Sequence, residues 1–161
     1  MPVVSNTSPI LNLAIIDQLE LLQQQFGQIH IPPAVLKELK IDQDLPGSSR
    51  IRDAITAGWI QVHDINNRSI ANLLKQTLDQ GESEAIALAL ELPADWILLD
   101  ERDARQVAKS LGLRITGVLG ILIRAKDQGQ ILSLPTVLNQ LKQEAGFWIA
   151  PELLARVIGK T

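Results

Sequence analysis

The 161-residue chain contains no cysteine and no tyrosine, and aromatic residues make up only 3% of it. The absence of cysteine excludes disulfides, thiolate zinc ligands and a cysteine nucleophile. No apolar run approaches the roughly 18 residues of a membrane-spanning helix. The N-terminus lacks the basic start and the apolar stretch of a signal peptide. We therefore expect a protein of the reducing cytoplasm that has no membrane segment.

The chain is rich enough in apolar residues to build one core. Hydrophobic residues make up 46% of it, and 161 residues suit a single domain, predicted over 1–161. The net charge of −3 argues mildly against broad, non-specific binding to nucleic acid, which usually needs a basic surface. A local basic rim around an acidic site remains compatible with that charge.

Short apolar runs alternate with helical patterns along the chain. The pattern predicts a helix over 10–22, broken near Asp17, and Ser8 is placed to cap it because Pro9 suits a first helical position. Short apolar strands separated by helices indicate a three-layer, Rossmann-like α/β fold with a central parallel sheet. About five strands are predicted, at residues 3–4, 28–31, 59–62, 96–99 and 113–115.

Polar and acidic residues fall where such a fold places functional groups, just beyond the carboxyl ends of parallel strands. Clustered carboxylates repel one another unless a cation joins them. Oxygen ligands without cysteine select Mg²⁺ or Mn²⁺, and these ions promote attack on phosphodiesters. The residues at this edge are Asn6, Thr7 and Ser8 after the first strand, Asp100, Glu101, Arg102 and Asp103 after the fourth, and Glu38, Glu82 and Glu84 on helices.

Each acid, taken alone, also has a simpler structural interpretation. Glu82 and Glu84 lie in the first turn of a helix, where acids favour the helix dipole. Glu38 is most simply a solvated helix residue. Asp100 is equally suited to cap the helix that follows it. The metal-site interpretation therefore depends on the set of acids rather than on any single one.

The remaining charged candidates are ambiguous in the same way. Arg102 and Arg105, with Lys109, form a basic helix face that is either solvated or available to phosphate. His30 and His63 have neither a metal-ligand spacing nor a serine partner, so we interpret both as structural. The apolar segment 147–149, with the helix after it, either covers a dimer interface or closes the domain's own core.

Four segments together resemble the PIN-domain family, in particular prokaryotic members close to VapC-like toxins. They are VVSNTSP at 3–9, PPAVLKE at 32–38, GESEAIALA at 81–89 and LLDERDAR at 98–105. Each segment alone is weak evidence, but their order and spacing are fairly specific and extend over nearly the whole chain.

The resemblance implies an endoribonuclease that cuts single-stranded RNA with Mg²⁺ or Mn²⁺. It also implies a toxin restrained by a cognate antitoxin, and a homodimer. Matched position by position, the second family acid falls on Glu38, the third on Glu82 with Glu84 as the competing register, and the fourth on Asp100 with Glu101 and Asp103 nearby. Thr7 and Ser8 match hydroxyl residues that support the metal site.

Asn6 stands where the family has its first acid. An amide oxygen can ligate a hard cation, but it supplies no negative charge and no base; it can also simply turn the strand into the helix. Two functions follow. One is a ribonuclease in which Glu38, Glu82 and Asp100 carry the metal and Asn6 is a neutral ligand. The other is a non-catalytic PIN-fold module that binds nucleic acid or protein. A phosphate-ester hydrolase is a third, weaker interpretation.

Overall fold

The structure, a computed structural model, describes residues 2–159. Over this range it contains five strands and ten helices. The strands are β1 (Val3–Ser5), β2 (Ile29–Ile31), β3 (Ile60–Val62), β4 (Trp96–Leu98) and β5 (Ile115–Thr116). The helices are α1 (Thr7–Ile15), α2 (Glu20–Phe26), α3 (Pro33–Leu39), α4 (Ser48–Ala57), α5 (Arg68–Leu74), α6 (Gln80–Glu91), α7 (Arg102–Ser110), α8 (Val118–Asp127), α9 (Leu134–Ala145) and α10 (Pro151–Ile158).

All five strands form one parallel sheet in the order β3-β2-β1-β4-β5. The central strand β1 pairs with β2 through Val4 opposite His30, and with β4 through Val4 opposite Ile97. The strand order reverses at β1, so the connections from β1 and β4 leave the same edge of the sheet in different directions. This topological switch point is where open α/β sheets form a crevice for ligands.

Successive residues of the central strands point to opposite faces of the sheet, and each face has its own hydrophobic core. Val3 and Leu98 join the core beneath α1, α3, α4, α8 and α9. Val4 and Ile97 join the core beneath α5, α6 and α7. The predicted three-layer α/β fold is confirmed, because helices cover both faces of the parallel sheet.

The predicted helix over 10–22 is in fact two helices, α1 and α2. The chain breaks near the predicted place, at Asp17, which adopts a left-handed conformation with φ of 62°. The predicted cap at Ser8 is wrong. Asn6 is the last extended residue, with φ −78° and ψ 177°, so the helix already begins at Thr7. Ser8 is thereby free to use its hydroxyl elsewhere, on Asp100.

Helix α6 is buried over most of its length, from Gly81 to Ala89. Its small, alanine-rich surface lets it pack closely against α3 and α5. Asp79 caps the helix in a reciprocal capping box with Glu82. This burial carries Glu82 and Glu84 into the interior, where they are 6% and 2% exposed.

The segment after α9 divides its apolar side chains between the interior and the surface. Phe147 and Ile149 are partly buried and pack against the core beneath α1, whereas Trp148 is 76% exposed. Two of the three side chains therefore close the domain's own core. Among the helices formed within residues 2–159, none combines the length and the apolar character needed to cross a bilayer.

Candidate active site

A cleft of about 800 Å³ lies where the chain leaves β1 and β4. Carboxylates from three separate regions of the sequence border it, together with the turn between β1 and α1. The lining residues are Asn6, Thr7, Ser8, Leu11, Glu38, Asp79, Glu82, Asp100, Glu101, Arg102 and 146–148. Eight of the eleven predicted site residues therefore share one cleft: Asn6, Thr7, Ser8, Glu38, Glu82, Asp100, Glu101 and Arg102.

Glu38 is held by two hydrogen bonds although its side chain is exposed. The Thr7 hydroxyl donates to Oε2 over 2.5 Å, and the backbone N–H of Gly81 donates to Oε1 over 3.1 Å. A Cβ atom at residue 81 would lie only 2.5 Å from Oε1, so a larger residue there would force the Glu38 carboxylate to move. Glu38 is thus a solvent-exposed helix residue, as its simplest interpretation predicted, and its carboxylate is in addition held in place by Thr7 and Gly81.

Asp100 is fixed from both sides. The Ser8 hydroxyl donates to Oδ2 over 2.7 Å, and the backbone N–H of Val118 donates to Oδ1 over 2.8 Å. Asp100 thus satisfies the first N–H of α8, whereas the following helix, α7, has Glu101 at its N-cap position. Burial raises the pKa of the Asp100 carboxyl above its usual value, against the opposing effect of these hydrogen bonds and of Arg105.

Glu82 belongs to the cleft and to a helix cap at once. Its Oε1 accepts the backbone N–H of Asp79 over 3.1 Å, while Asp79 Oδ1 accepts the N–H of Glu82 over 2.8 Å. Burial raises the pKa of Glu82, the Asp79 N–H opposes that shift, and the carboxylates of Asp79, Glu101 and Glu38 add to it. Glu82 thus has a structural role at the start of α6, and its carboxylate also lies near those of Asp79, Glu101 and Glu38.

Glu84 lies outside this cleft. Its carboxylate accepts hydrogen bonds of 3.1 Å from the N–H of Ala34, from Arg68 and from Gln80. Burial raises the pKa of Glu84, but these bonds and the Arg68 charge outweigh burial and lower it overall. Between the two registers left open by the sequence, Glu82 borders the cleft and Glu84 ties α6 to α3 and α5.

Asn6 is buried at the cleft wall, with 6% of its surface exposed. Its backbone N–H donates to the Leu98 carbonyl over 3.0 Å, which fixes it between β1 and β4. Its side-chain oxygen Oδ1 is buried and accepts no hydrogen bond from residues 2–159. A buried amide oxygen without a partner is unfavourable by about 1–3 kcal/mol, so a ligand that reached this atom would relieve that cost.

The donor set fits a hard divalent cation in kind. All candidate ligands are carboxylate or amide oxygens, as Mg²⁺ and Mn²⁺ prefer. Burial raises the pKa of both Asp100 and Glu82, and a nearby cation would relieve the unfavourable charge. Within residues 2–159, however, no three His, Asp or Glu side chains are close enough to hold one ion together. Each carboxylate is instead held by its own hydrogen-bond donors.

The basic residues flank the cleft on one side. Arg102 borders it, and a shallower groove beside Asp100 is lined by Arg102, Arg105 and Lys109. Arg105 donates to the Leu99 carbonyl over 2.7 Å, which orients it along this groove. Asp103 lies in the first turn of α7 with its side chain exposed and does not border the cleft.

Several cleft residues were missed by sequence reasoning. Asp79 could have been recognised from the sequence, because an acid three residues before Glu82 has the spacing of a capping box. Gly117, which adjoins the cleft residue Asp100, had no such sequence signal: a Cβ there would lie 2.5 Å from Asp100 Oδ1, and this proximity arises only because β5, directly before Gly117, pairs with β4. Leu11 and the segment 146–148 reach the cleft through tertiary packing alone.

The two histidines contact each other rather than any ligand group of the cleft. His30 Nδ1 and His63 Nε2 are 2.8 Å apart, and the ring planes are inclined by 64°. The pKa of His30 is lowered by burial and by the neighbouring His63. This arrangement agrees with their structural interpretation.

Comparison with known proteins agrees with the fold. A family model described as a PIN domain (DUF3368) matches residues 2–161. Among solved structures, the chain is similar to a PilT N-terminus domain protein from the hyperthermophilic archaeon Sulfolobus solfataricus P2, with 24% identity and a TM-score of 0.58. The match covers 78% of this chain and 93% of that one, and it shows a common fold. A search of curated proteins found no match. Because the family model spans almost the entire sequence, the chain belongs to the PIN-domain family.

Proposed function

We propose that this protein is a Mg²⁺- or Mn²⁺-dependent endoribonuclease that cuts single-stranded RNA in the cleft beside β1 and β4. The observation that carries the proposal is that Glu38, Glu82 and Asp100 border one cleft together with Asn6, whose buried Oδ1 has no hydrogen-bond partner within residues 2–159. Membership of the PIN-domain family favours the same chemistry, since the family resemblance implies phosphodiester hydrolysis with a divalent metal.

In this proposal, some cleft residues bind the metal and others position the metal ligands. Glu38, Glu82 and Asp100 would hold the metal, with Asn6 as a neutral ligand, and since these carboxylates are too far apart to share one ion as they stand, their side chains would have to move together on binding. When bound, Mg²⁺ or Mn²⁺ supplies charge neutralisation at the phosphoryl group and an activated water. Thr7 and Ser8 hold two of these carboxylates in place through their hydroxyl groups.

The cationic rim orients the substrate. Arg102 borders the cleft and, with Arg105, offers phosphate contacts on the side of Asp100. Glu101 and Asp103 are supporting acids in this proposal, Glu101 at the cleft and Asp103 beyond it. Glu84 supports the site indirectly, by anchoring α6 against α3 through the Ala34 N–H.

The proposal extends to the biological setting that the family resemblance implies. We place the protein in the cytoplasm, as a toxin-like nuclease restrained by a cognate antitoxin and assembled as a homodimer. Light scattering over a concentration series tests the homodimer, and a short reading frame beside the gene would favour an antitoxin.

The test is a cleavage assay on single-stranded RNA with Mn²⁺ and with a chelator. The wild type should cut in Mn²⁺ only, and Asp100→Ala should abolish cutting. Asp103→Ala is the matched control, because it removes an acid from the same segment but outside the cleft. Cleavage that survives Asp100→Ala, or that never appears in the wild type, contradicts the proposal.

A second candidate is a PIN-fold module that binds nucleic acid or protein without catalysis. Asn6 favours it, because the amide removes a negative charge from the site, and the separation of the carboxylates within residues 2–159 favours it too. The Asn6→Asp variant discriminates the two functions. This candidate gains if the wild type neither binds Mn²⁺ nor cuts RNA and the variant does both.

A further inference from the structure

Trp148 is far more exposed to solvent than the other aromatic residues of the chain. It is 76% exposed, whereas Trp59 is 9% exposed and Trp96 lies beneath Arg114, whose guanidinium carbon is 4.1 Å from the ring centroid. Phe26 and Phe147 pack against the core beneath α1. An isolated exposed apolar residue needs no explanation on its own account. The position of Trp148 is what distinguishes it from an ordinary surface residue.

Trp148 stands at the junction of two concave surfaces. One is the cleft that contains Glu38, Glu82 and Asp100. The other is an adjoining groove of about 400 Å³ with mostly apolar walls, whose polar side chains include Asn139 and Lys142. A chain that runs from the acidic cleft into this groove therefore passes the indole ring.

The backbone holds the indole in this place. Gly146 ends α9 in a left-handed conformation with φ of 68°, and the N–H of Phe147 donates to the Leu141 carbonyl over 3.2 Å. Phe147 and Ile149, on either side of Trp148, pack against the core. The flanking anchors fix the backbone of Trp148 at the cleft without burying the ring, and an indole, which has few rotatable bonds, loses little conformational entropy on binding.

We propose that Trp148 is the stacking platform for an unpaired base next to the phosphodiester in the cleft. This inference rests on the proposed function and names the residue that positions its substrate. Most of the charged cleft wall is acidic and repels phosphate groups, but a nucleobase is uncharged and offers a π face. Stacking on an aromatic side chain is sequence-tolerant and strong enough to position a single strand.

The same geometry selects single strands over duplexes. Bases within a duplex are already stacked and paired, and their faces are closed to a protein ring. Lys142, in the adjoining groove, offers a cation to the backbone of the strand as it leaves the ring. A second copy of this chain is a poorer occupant, because it would bring its own acidic cleft wall against this one.

The experiment is a binding titration with a 12-nucleotide single-stranded RNA, followed by intrinsic tryptophan fluorescence and by anisotropy of a labelled strand. Ca²⁺, which accepts the same oxygen ligands, replaces Mn²⁺ during binding, and gels verify that the RNA stays intact. We expect the wild type to show quenching with the single strand and much less with the duplex. Trp148→Ala should weaken single-strand binding about 5- to 100-fold, the range for one lost base–aromatic stack.

Two further variants separate stacking from simple apolar contact. Trp148→Phe keeps a π face and should bind within a few-fold of wild type, whereas Trp148→Leu keeps an apolar side chain and should bind as weakly as Trp148→Ala. Leu132→Ala removes another exposed apolar side chain, 95% exposed and outside both concave surfaces, and should change nothing. Thermal melts verify that each variant folds.

The outcomes for this inference and for the nuclease function are distinguishable. If the wild type cuts RNA and Trp148→Ala binds and cuts equally well, stacking is refuted and the nuclease function stands. If binding and quenching depend on Trp148 but no RNA is cut in Mn²⁺, the nuclease function is refuted and stacking stands. Equal binding by Trp148→Leu and Trp148→Phe also overturns stacking. So does a wild-type dimer that Trp148→Ala dissociates without any change in RNA binding.

Discussion

At the scale of single residues, the site contains acids and an amide whose burial lowers the stability of the folded protein. The pKa of Asp100 is raised by burial, and Oδ1 of Asn6 is buried without a hydrogen-bond donor. Both features lower the stability of the metal-free protein, and both are relieved by a bound cation. Groups held at a cost to stability are typical of functional sites.

The first prediction follows from the burial of Asp100. Its folded-state pKa is raised, so this group's contribution to stability is present at low pH and is lost as the pH rises through the folded pKa. At pH 7 without divalent metal, Asp100→Asn should therefore raise Tm by about 2–4 °C, the change that about 1 kcal/mol produces in a domain of this size. Calorimetry checks this.

The exposed Asp103 provides the control for that measurement. Asp103→Asn should leave Tm within about 1 °C of wild type, since exposed polar substitutions rarely change stability by more than about 0.5 kcal/mol. A lower Tm for Asp100→Asn would show that its hydrogen bonds to Ser8 and Val118 matter more than the buried charge.

The second prediction concerns the histidine pair. Burial and His63 lower the pKa of His30, so near pH 6 the unfolded chain binds more protons than the folded chain. Stability should therefore fall as the pH drops below about 6.5, the unfolded value. Urea unfolding at pH 7.5 and pH 5.5 measures the loss. His30→Gln should show a smaller loss than wild type, and an equal loss in both proteins would contradict the assignment.

At the scale of elements, glycines determine how closely α6 and α8 approach the carboxylates. A Cβ at Gly81 would lie 2.5 Å from Glu38 Oε1, and a Cβ at Gly117 would lie 2.5 Å from Asp100 Oδ1. Neither glycine has a positive φ, so close approach rather than backbone conformation accounts for the residue type. The two helices thereby position the two acids through backbone N–H groups.

The third prediction tests this positioning. Gly81→Ala should keep the fold, because alanine favours a helix and the exposed Glu38 side chain can move aside. Displacing the carboxylate should lower RNA cleavage about 100-fold, a typical effect of a misplacement near 1 Å. Rates of the single variants Gly81→Ala and Glu38→Gln and of their double variant give the measurement.

A double-mutant cycle distinguishes displacement of Glu38 from general damage. If Gly81→Ala acts through Glu38, the double variant should be no slower than Glu38→Gln alone. Multiplicative losses in the double variant would show that the added methyl group acts elsewhere.

The strands and helices could be predicted from the sequence more completely than the tertiary contacts between them. Strands were recognisable because apolar runs between helical patterns suit a buried parallel sheet. The first helix begins at Thr7, two residues before the first helical position predicted at Pro9, because Asn6 is fixed by the Leu98 carbonyl of a distant strand. The choice between Glu82 and Glu84 depends on how α6 is rotated against α3, which no local pattern specifies. The approach of Gly117 to Asp100 is likewise a purely tertiary contact.

At the scale of the whole molecule, the strand order brings distant acids together. β1 lies between β2 and β4, so the segments after β1 and β4 meet with α3 and α6 at one edge of the sheet. A net charge of −3 is compatible with RNA binding if the acidic cleft carries a cation and basic residues border it. The proposed nuclease function therefore requires that the cleft, with Asn6 where the family resemblance implies the first acid, still binds a metal.

The most direct test is a calorimetric titration of the chelator-treated protein with Mn²⁺. We expect saturable binding in the wild type, loss of that binding in Asp100→Ala, and binding about 10-fold tighter or more in Asn6→Asp, because one added charge contact is worth on the order of 1.4 kcal/mol or more. Asp103→Ala should bind like wild type. Absence of Mn²⁺ binding in the wild type, or binding that Asp100→Ala leaves intact, would contradict the central claim.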